Sequence, residues 1–548
     1  MTDSRASHRI LILLTLCVSL FMAMLDNTVV NTALPHIQRG LGTNITGLQW
    51  IVDGYSLSFA SLMLTASTFG DMYGRKRMFL GGLVLFTSGS AICALAGSLP
   101  MLVTGRVVEG TGAACLIPGT LSILRNTFVG ERERGIAIGV WAGVSGLGLG
   151  LGPVIGGPLV DHFNWPSVFW INVPVGILGL LAAIVVLPES ADRRGRRMDV
   201  PGQLLGIAGI GGVVYATIEG PLIGWTSPAL IAIYAGAALA LLAFGIVEHR
   251  TPTPMLKLAV FRDRVFSGAL LGGFAVYFGM FAVLYFLSLW LQEVLGWSAT
   301  HAGLAIVPAL VVAAAVAPVA GWLSGRSGGA VPLTVGLTLA ALSLFLFTRY
   351  GAHATYGQFW YLLPIVGAGM GLTLTPITTT ALSRMPAQQA GLASGLTNTV
   401  RELGGVLGVA VLGSILTQQM ISDLGQRLGR LGIPAGQRAA IVGTVKAGGG
   451  LPRSSGPRSA SVTAAVNLAY VHGLHVAEYC GCGVLTVAAV LAWVLLRRPA
   501  QARSAAQIAY PRTLPDDLGG EASRPDEAAA QKAPNIATGE AMPGPASR

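Results

Sequence analysis

The sequence predicts an all-α polytopic membrane protein with fourteen transmembrane helices. Three observations carry this. Apolar runs recur from Ile10 to Leu496, many near the roughly 20 residues that cross a ~30 Å hydrocarbon layer as helix. Charged residues make up only 11% of the 548 and hydrophobic ones 53%, whereas a soluble domain carries about 25% charge. The basic residues gather in alternate gaps between the apolar runs. The 74 glycines agree, because small residues let membrane helices approach closely.

The spans are placed near residues 10–33, 50–69, 78–98, 101–123, 137–159, 167–187, 200–219, 229–248, 266–288, 301–324, 331–349, 359–381, 400–418 and 475–496. With the N-terminus inside, the inner gaps hold sixteen Lys and Arg, from Arg75, Lys76 and Arg77 to Arg326 and Arg384. The short outer gaps hold Arg39, with Arg349 assigned to the end of span eleven. This is the positive-inside pattern, and it places both termini in the cytoplasm and the protein in the cell inner (plasma) membrane. It also accounts for the net charge of +11 without nucleic acid. Residues 1–9 read as a cytoplasmic N-terminus. The first run reads as a retained span, since no small-residue cleavage site follows it.

The gap 419–474 is a long extracytoplasmic loop with a flexible centre, KAGGGLPRSSGPRSAS. Residues 497–548, rich in Ala, Pro, Gly, Asp and Glu, read as a disordered cytoplasmic tail. Cys17, Cys93, Cys115, Cys480 and Cys482 form no metal-ligand cluster, and Cys480 and Cys482, on or near the last apolar run, read as small buried residues. No metal, cofactor or ATP-binding module is expected, and no reactive polar cluster suggests an enzyme.

Asp26 lies deep in the first apolar run, where an ionisable group marks a pathway or a pairing. At 1.5 Å per residue it sits about 10 Å below the outer end of its span, with Arg106 at about 8 Å and Glu109 at about 12 Å on span four. Arg106 and Glu109 are three apart and share a helix face. These three are the candidate proton-coupling groups; the alternative is a static brace between helices. Asp26 and Glu109, with Tyr277 and Phe278, are the candidate substrate contacts. The two aromatics belong to a set in the second half that includes Phe274, Met280, Tyr285, Phe286 and Trp290. Asp53 is expected near the outer start of span two, in either a structural or a functional role. Arg401 and Glu402 are expected at the inner mouth of span thirteen, and Glu478 at the outer start of span fourteen.

Two glycine-bearing segments are candidate conformational switches. In GDMYGRKR, Gly70 and Gly74 permit a tight turn, with Asp71 before it and Arg75, Lys76 and Arg77 after it. Such charges can latch two helices, or simply anchor the gap. In GLGLGLGPVIGG, Gly148, Gly152 and Gly156 recur at i+4 beside Pro153 and Gly157, giving a smooth face and a bend. A phosphate loop is excluded here, because the glycines lie inside a membrane helix and follow no strand.

With these residues in view, the chain resembles the fourteen-span drug:proton antiporter family of the major facilitator superfamily. Asp26, Asn27, Thr28, Val30, Asn31, Ala33, Leu34 and Pro35 resemble its first-helix motif, which implies protonation and cationic-drug recognition at Asp26. Gly70, Asp71, Gly74, Arg75, Lys76 and Arg77 resemble its cytoplasmic latch. Gly105, Arg106 and Gly110 resemble its span-four motif, whose arginine is tied to proton movement. Gly148, Gly152, Pro153, Gly156 and Gly157 resemble its antiporter motif, which is typical of exporters rather than importers. Gly321 to Arg326 resembles a decayed second latch that lacks the acid. The resemblance implies a major facilitator fold of two six-helix bundles, 10–187 and 266–496, plus two central helices within 200–248. It implies a monomeric exporter of hydrophobic or cationic small molecules in exchange for protons, among membrane lipids. Export of a natural product, siderophore, peptide or lipid is the alternative. Pro35 is expected just past the end of the first helix.

Overall fold

A computed structural model describes residues 2–128, 130–190, 199–251, 258–385, 390–447 and 459–497. Its long helices are α1 (Thr2–Leu41), α2 (Ile45–Tyr73), α3 (Arg75–Ala94), α4 (Leu99–Thr127), α5 (Glu131–His162), α6 (Asn172–Val186) and α7 (Val200–Ile223). They continue as α8 (Pro228–Arg250), α9 (Arg264–Leu289), α10 (Ala299–Ala305 resuming as Val307–Ser327), α11 (Ala330–Phe347), α12 (Leu362–Ser383), α13 (Ala390–Arg430) and α14 (Ser459–Arg497). Helix satisfies every backbone group within one segment, as a span in lipid must. Polar residues set several starts. Asn44 Oδ1 accepts from the Gly47 amide, Asp199 Oδ1 from Gly202, Asp263 Oδ1 from Val265 and Phe266, and Ser298 Oγ from His301.

Among the described residues, thirteen helical stretches have the length and apolarity to cross a membrane. The fourteenth expected span is α2, a continuous helix of 29 residues. It is less apolar because Gln49, Asp53 and Ser56 are buried against other helices rather than lipid. α1 lies along α5, and α4 packs on α2 and α3; α13 packs on α9 and α14, and α12 on α10 and α11. α7 rests on α2 and α13 and carries α8. Leu239, Leu242 and Ile246 of α8 are exposed apolar residues of the kind lipid covers.

Several helices outrun the expected spans. α1 continues through Pro35 to Leu41 instead of stopping before the proline. Pro35 has no N–H for the Asn31 carbonyl four residues back, and Ser288 of α9 donates its hydroxyl to that carbonyl at 2.7 Å. The same substitution occurs on α5: Pro153 frees the Leu149 carbonyl, and Thr28 Oγ1 of α1 donates to it at 2.9 Å. α13 begins ten residues before the expected span and runs to Arg430, so its far part and the helix Ala435–Ala447 occupy much of the expected loop 419–474. The flexible centre and the tail expected there and after Arg497 lie outside the described residues.

The side on which α1 begins and α14 ends is the terminal side; the other is the far side. The first six and last six spans are joined at the far side. Asp161, at the end of α5, caps the start of α10: Oδ1 accepts from the Ala299 amide at 3.1 Å and Oδ2 from Thr300 at 2.8 Å. A carboxylate at a helix N-terminus is favoured by the orphan amides and the helix dipole. Gln292 Nε2 donates to the Thr32 carbonyl at 3.2 Å, Gln49 Nε2 to the Val409 carbonyl at 3.0 Å, and Arg39 faces Glu293 at 3.7 Å.

The span-five glycines divide between two tasks. A Cβ on Gly148 would lie 2.7 Å from Met24 Cβ, and one on Gly152 2.8 Å from the Val29 nitrogen, so this stripe seats α5 on α1. Gly157 instead faces α10, where a Cβ would lie 2.6 Å from the Ala299 carbonyl. Replacing Gly157 with valine therefore drives a branched side chain into the far-side seam. Gly157→Val is expected to part that seam, read as a longer distance between spin labels at positions 39 and 293; an unchanged distance refutes the assignment.

Candidate functional site

The three deep charges meet. Arg106 Nη1 donates to Asp26 Oδ2 at 2.6 Å and to Glu109 Oε2 at 2.7 Å. Arg106 is 1% exposed and both carboxylates 0%. Its Nε donates to the Ile51 carbonyl of α2 at 3.2 Å, and its guanidinium lies 4.3 Å from the centre of the Tyr55 ring. That contact adds a cation–π attraction on the one face. Tyr55 is itself fixed by donating to the Ala23 carbonyl of α1 at 3.2 Å.

Two residues that the sequence reading passed over close the arrangement into a ring. Asn172, the first residue of α6, donates through Nδ2 to Asp26 Oδ1 at 2.9 Å and to Ser90 Oγ at 3.2 Å. Ser90 in turn donates to Glu109 Oε1. The circuit runs Asp26, Arg106, Glu109, Ser90, Asn172 and back to Asp26. Cys93 adds a weak donor to Glu109 Oε2 at 3.5 Å. All four carboxylate oxygens have partners, the condition under which a buried polar network is stable. The close approach of α3 to α4 makes this reach short: a Cβ on Gly89 would lie 2.6 Å from the Glu109 nitrogen. The signal for Ser90 and Asn172 was present in the sequence. On the expected spans 78–98 and 167–187 Ser90 and Asn172 lie about 12 and 8 Å below the far end at 1.5 Å per residue, the level that the same arithmetic gives Asp26, Arg106 and Glu109.

Tyr277 and Phe278 belong to a different cluster. Tyr277 accepts a hydrogen bond from Arg401 Nη2, whose guanidinium lies 4.6 Å from the Tyr277 ring centre. Tyr277 stacks on Phe281 with centroids 4.7 Å apart, and Phe278 on Phe274 at 6.0 Å. Both are buried, at 5% and 7% exposure. Arg401 is not at the mouth of its helix: α13 starts at Ala390, which puts Arg401 about 16 Å inside it. Glu478 is likewise mid-helix, because α14 starts at Ser459. Asp53 is fully buried rather than interfacial.

At the terminal side Gly74 adopts φ 117°, a conformation that a side chain strains against. The turn delivers the start of α3 to Glu189, a residue the sequence reading missed. Glu189 Oε1 accepts from the Lys76 amide at 3.1 Å, Oε2 lies 3.7 Å from Arg77 Nε, and the Ser190 carbonyl accepts from the Arg75 amide at 2.9 Å. Lys76 Nζ donates to the Ile184 carbonyl at 2.7 Å. The latch partner seen here is therefore the end of α6. The Asp71 side chain lies outside the described residues. Gly70, one turn before Gly74, accepts from the Gly74 amide through its carbonyl at 3.1 Å.

Two stability measurements test this geometry. Arg106→Ala strands two buried carboxylates and should cost roughly 3–5 kcal/mol, against less for Asp26→Asn, which leaves the Glu109 pair intact. Thermal unfolding in detergent ranks them, and equal midpoints would contradict the shared-arginine arrangement. Gly74→Ala should cost about 1–3 kcal/mol through backbone strain, with the added Cβ 2.7 Å from Glu189 Oε1; Glu189→Ala in the same background should relieve only the contact.

Residues 16–409 match the Major Facilitator Superfamily. The chain is 39% identical to the multidrug resistance protein Stp of Mycobacterium tuberculosis over 422 residues, 77% of this chain and 78% of that protein. It is 33% identical to the tetracenomycin C resistance and export protein of Streptomyces glaucescens, over 88% of this chain and 90% of that one. Among solved structures, an inward-facing bacterial homologue of the human lysosomal transporter Spinster superposes with a TM-score of 0.61 at 17% identity, over 89% of this chain and 97% of that one. That likeness concerns the fold; with the sequence matches, it leaves one assignment: this multi-pass membrane protein belongs to the Major Facilitator Superfamily.

Proposed function

We propose that the protein is an efflux antiporter that exports hydrophobic or cationic small molecules, antibiotics among them, in exchange for protons. The observation that carries this is the charge count of the buried ring. One guanidinium stands between two carboxylates, so with both ionised one negative charge remains to be balanced. A proton or a cationic ligand can balance it, and each excludes the other. Such competition at one site is sufficient for exchange. The resistance and export activities named for the relatives support the direction and the ligand class.

The mechanism is alternating access by two bundles, 10–187 and 266–496, with the central helices of 200–248 beside them. The far-side seam supports reading this conformation as inward-facing, with the terminal side in the cytoplasm. Substrate enters from the cytoplasm or the inner leaflet, meeting Asp26 or Glu109 and the aromatic surface around Tyr277 and Phe278. The seam then parts, protons displace the substrate outward, and the protonated carrier returns. Gly70, Gly74 and the basic start of α3 reset the terminal side as the bundles rock, and Gly157 meets α10 again as the far side closes. The carrier works as a monomer.

Everted membrane vesicles with an imposed pH gradient test this with ethidium as probe. Wild type should accumulate ethidium only while the gradient lasts, and Asp26→Asn and Glu109→Gln should fall to background. Accumulation that survives collapse of the gradient overturns proton coupling. A narrower reading, export of one dedicated natural product, is favoured by the tetracenomycin relative. Transport of tetracenomycin C but not ethidium in the same vesicles would select it.

A further inference from the structure

Glu478 of α14 is 8% exposed, and its Oε2 has no hydrogen-bond partner. No lysine, arginine or histidine pairs with it among the described residues. It lines a cavity of about 20 Å³ otherwise walled by apolar and aromatic side chains, chiefly Phe286 of α9, Trp290 just after it, Phe347 at the end of α11 and Tyr350 beyond that end. Trp290, 2% exposed, lines the same cavity, and its indole Nε1–H has no acceptor. Two residues around this small space thus each carry a buried polar atom without a partner.

Size and chemistry decide what this space holds. A drug-sized ligand needs several hundred Å³, and this cavity has room for about one water. A metal ion needs several oxygen ligands, whereas the cavity offers one carboxyl among apolar and aromatic walls. A carboxylate without a counter-charge is costly in such surroundings, and a proton removes the charge at the site. We propose that Glu478 is a second proton-binding carboxyl, seated in the last six spans and separate from the Asp26–Arg106–Glu109 ring. Its importance for transport rests on the proton-exchange reading above; its existence as a proton site does not.

Access is from the far side. His475, three residues earlier on α14, is half-buried and meets the Tyr350 carbonyl through Nε2 at 2.9 Å. His472, three residues further out, is exposed. These imidazoles step from solvent toward Glu478. The other titratable neighbours are committed elsewhere: Tyr350 shares its hydroxyl with Tyr361 at 2.7 Å, and Tyr470 donates to the Phe286 carbonyl at 3.4 Å. Glu293 lies beyond Tyr470 and faces Arg39. The location ties the proton to the seam. Ser288 and Gln292 of the same α9 segment bond to α1, while Phe286 and Trp290 wall the cavity.

Infrared difference spectroscopy on the purified full-length protein in lipid nanodiscs reads the site directly. At neutral pH the wild-type minus Glu478→Gln spectrum should contain a protonated-carboxyl C=O band. Trp290→Phe, which removes the partnerless indole N–H from the cavity wall, should shift that band. His475→Gln should retain the band but slow its exchange in heavy water by about tenfold or more, as expected when a positioned proton carrier is lost. A difference spectrum that shows an ionised carboxylate instead, or no carboxyl band, overturns the proposal even if export proves proton-driven. Unchanged exchange in His475→Gln overturns the histidine route.

Discussion

A single guanidinium shared by two carboxylates is the constraint around which the first six spans are arranged. Leaving any one of these charges unpaired in the interior costs several kcal/mol, so the helices that carry them cannot drift apart separately. α1 supplies Asp26, α4 supplies Arg106 and Glu109, α2 gives a backbone carbonyl and the Tyr55 ring, and α3 and α6 add Ser90 and Asn172. Five helices thus meet at one point. Gly89 is a consequence of that meeting, because any side chain there would push α3 off the backbone of Glu109. The ring is also odd in charge. Its packing is symmetrical about Arg106 while its electrostatics are not, and that imbalance is what the proposed exchange uses.

The ring and the far-side seam share a helix. Asp26 lies on α1, and so do the Asn31 and Thr32 carbonyls that Ser288 and Gln292 of α9 bind. Movement at the seam is therefore transmitted along the same rod that holds one carboxylate of the ring. α5 is held to α1 by close glycine contacts and by the Thr28–Leu149 bond, so it travels with α1. Its far end meets α10 through the Asp161 cap. Joints within the first six spans include buried charge pairs, whereas several joints across to the last six are hydrogen bonds near helix ends, which part at lower cost.

The sequence was most informative where a residue contradicted its surroundings. Asp26, Arg106 and Glu109 stood out because charge in an apolar run is rare, and rise per residue put them at one depth. The same arithmetic reached Ser90 and Asn172, but polar neutral residues are common enough in spans to pass unnoticed. Glu189 was hidden for a different reason: its nearest partner on α3 is the Lys76 backbone amide, which no residue pattern displays. Helix ends were the least legible. Local rules make Pro35 a stop because they know nothing of a hydroxyl arriving from a distant helix, and the helix through Arg401 continues toward the terminal side beyond its apolar stretch. Asp71 and the centre of the last long gap fall outside the described residues and stay as sequence expectations.

The bond from Ser288 to the Asn31 carbonyl differs in kind from the one Thr28 makes to Leu149. Both compensate a proline, but Thr28 and Leu149 stay together when the seam parts, while Ser288 and Asn31 do not. A carbonyl released in this way has no amide of its own helix to turn to, since Pro35 has removed it. Water is then the donor nearest to hand. Asn31 lies about 7.5 Å along α1 from Asp26. Parting the seam thus plants a hydration point just above the buried acid, and the first water to enter the dry interior is drawn there by the backbone.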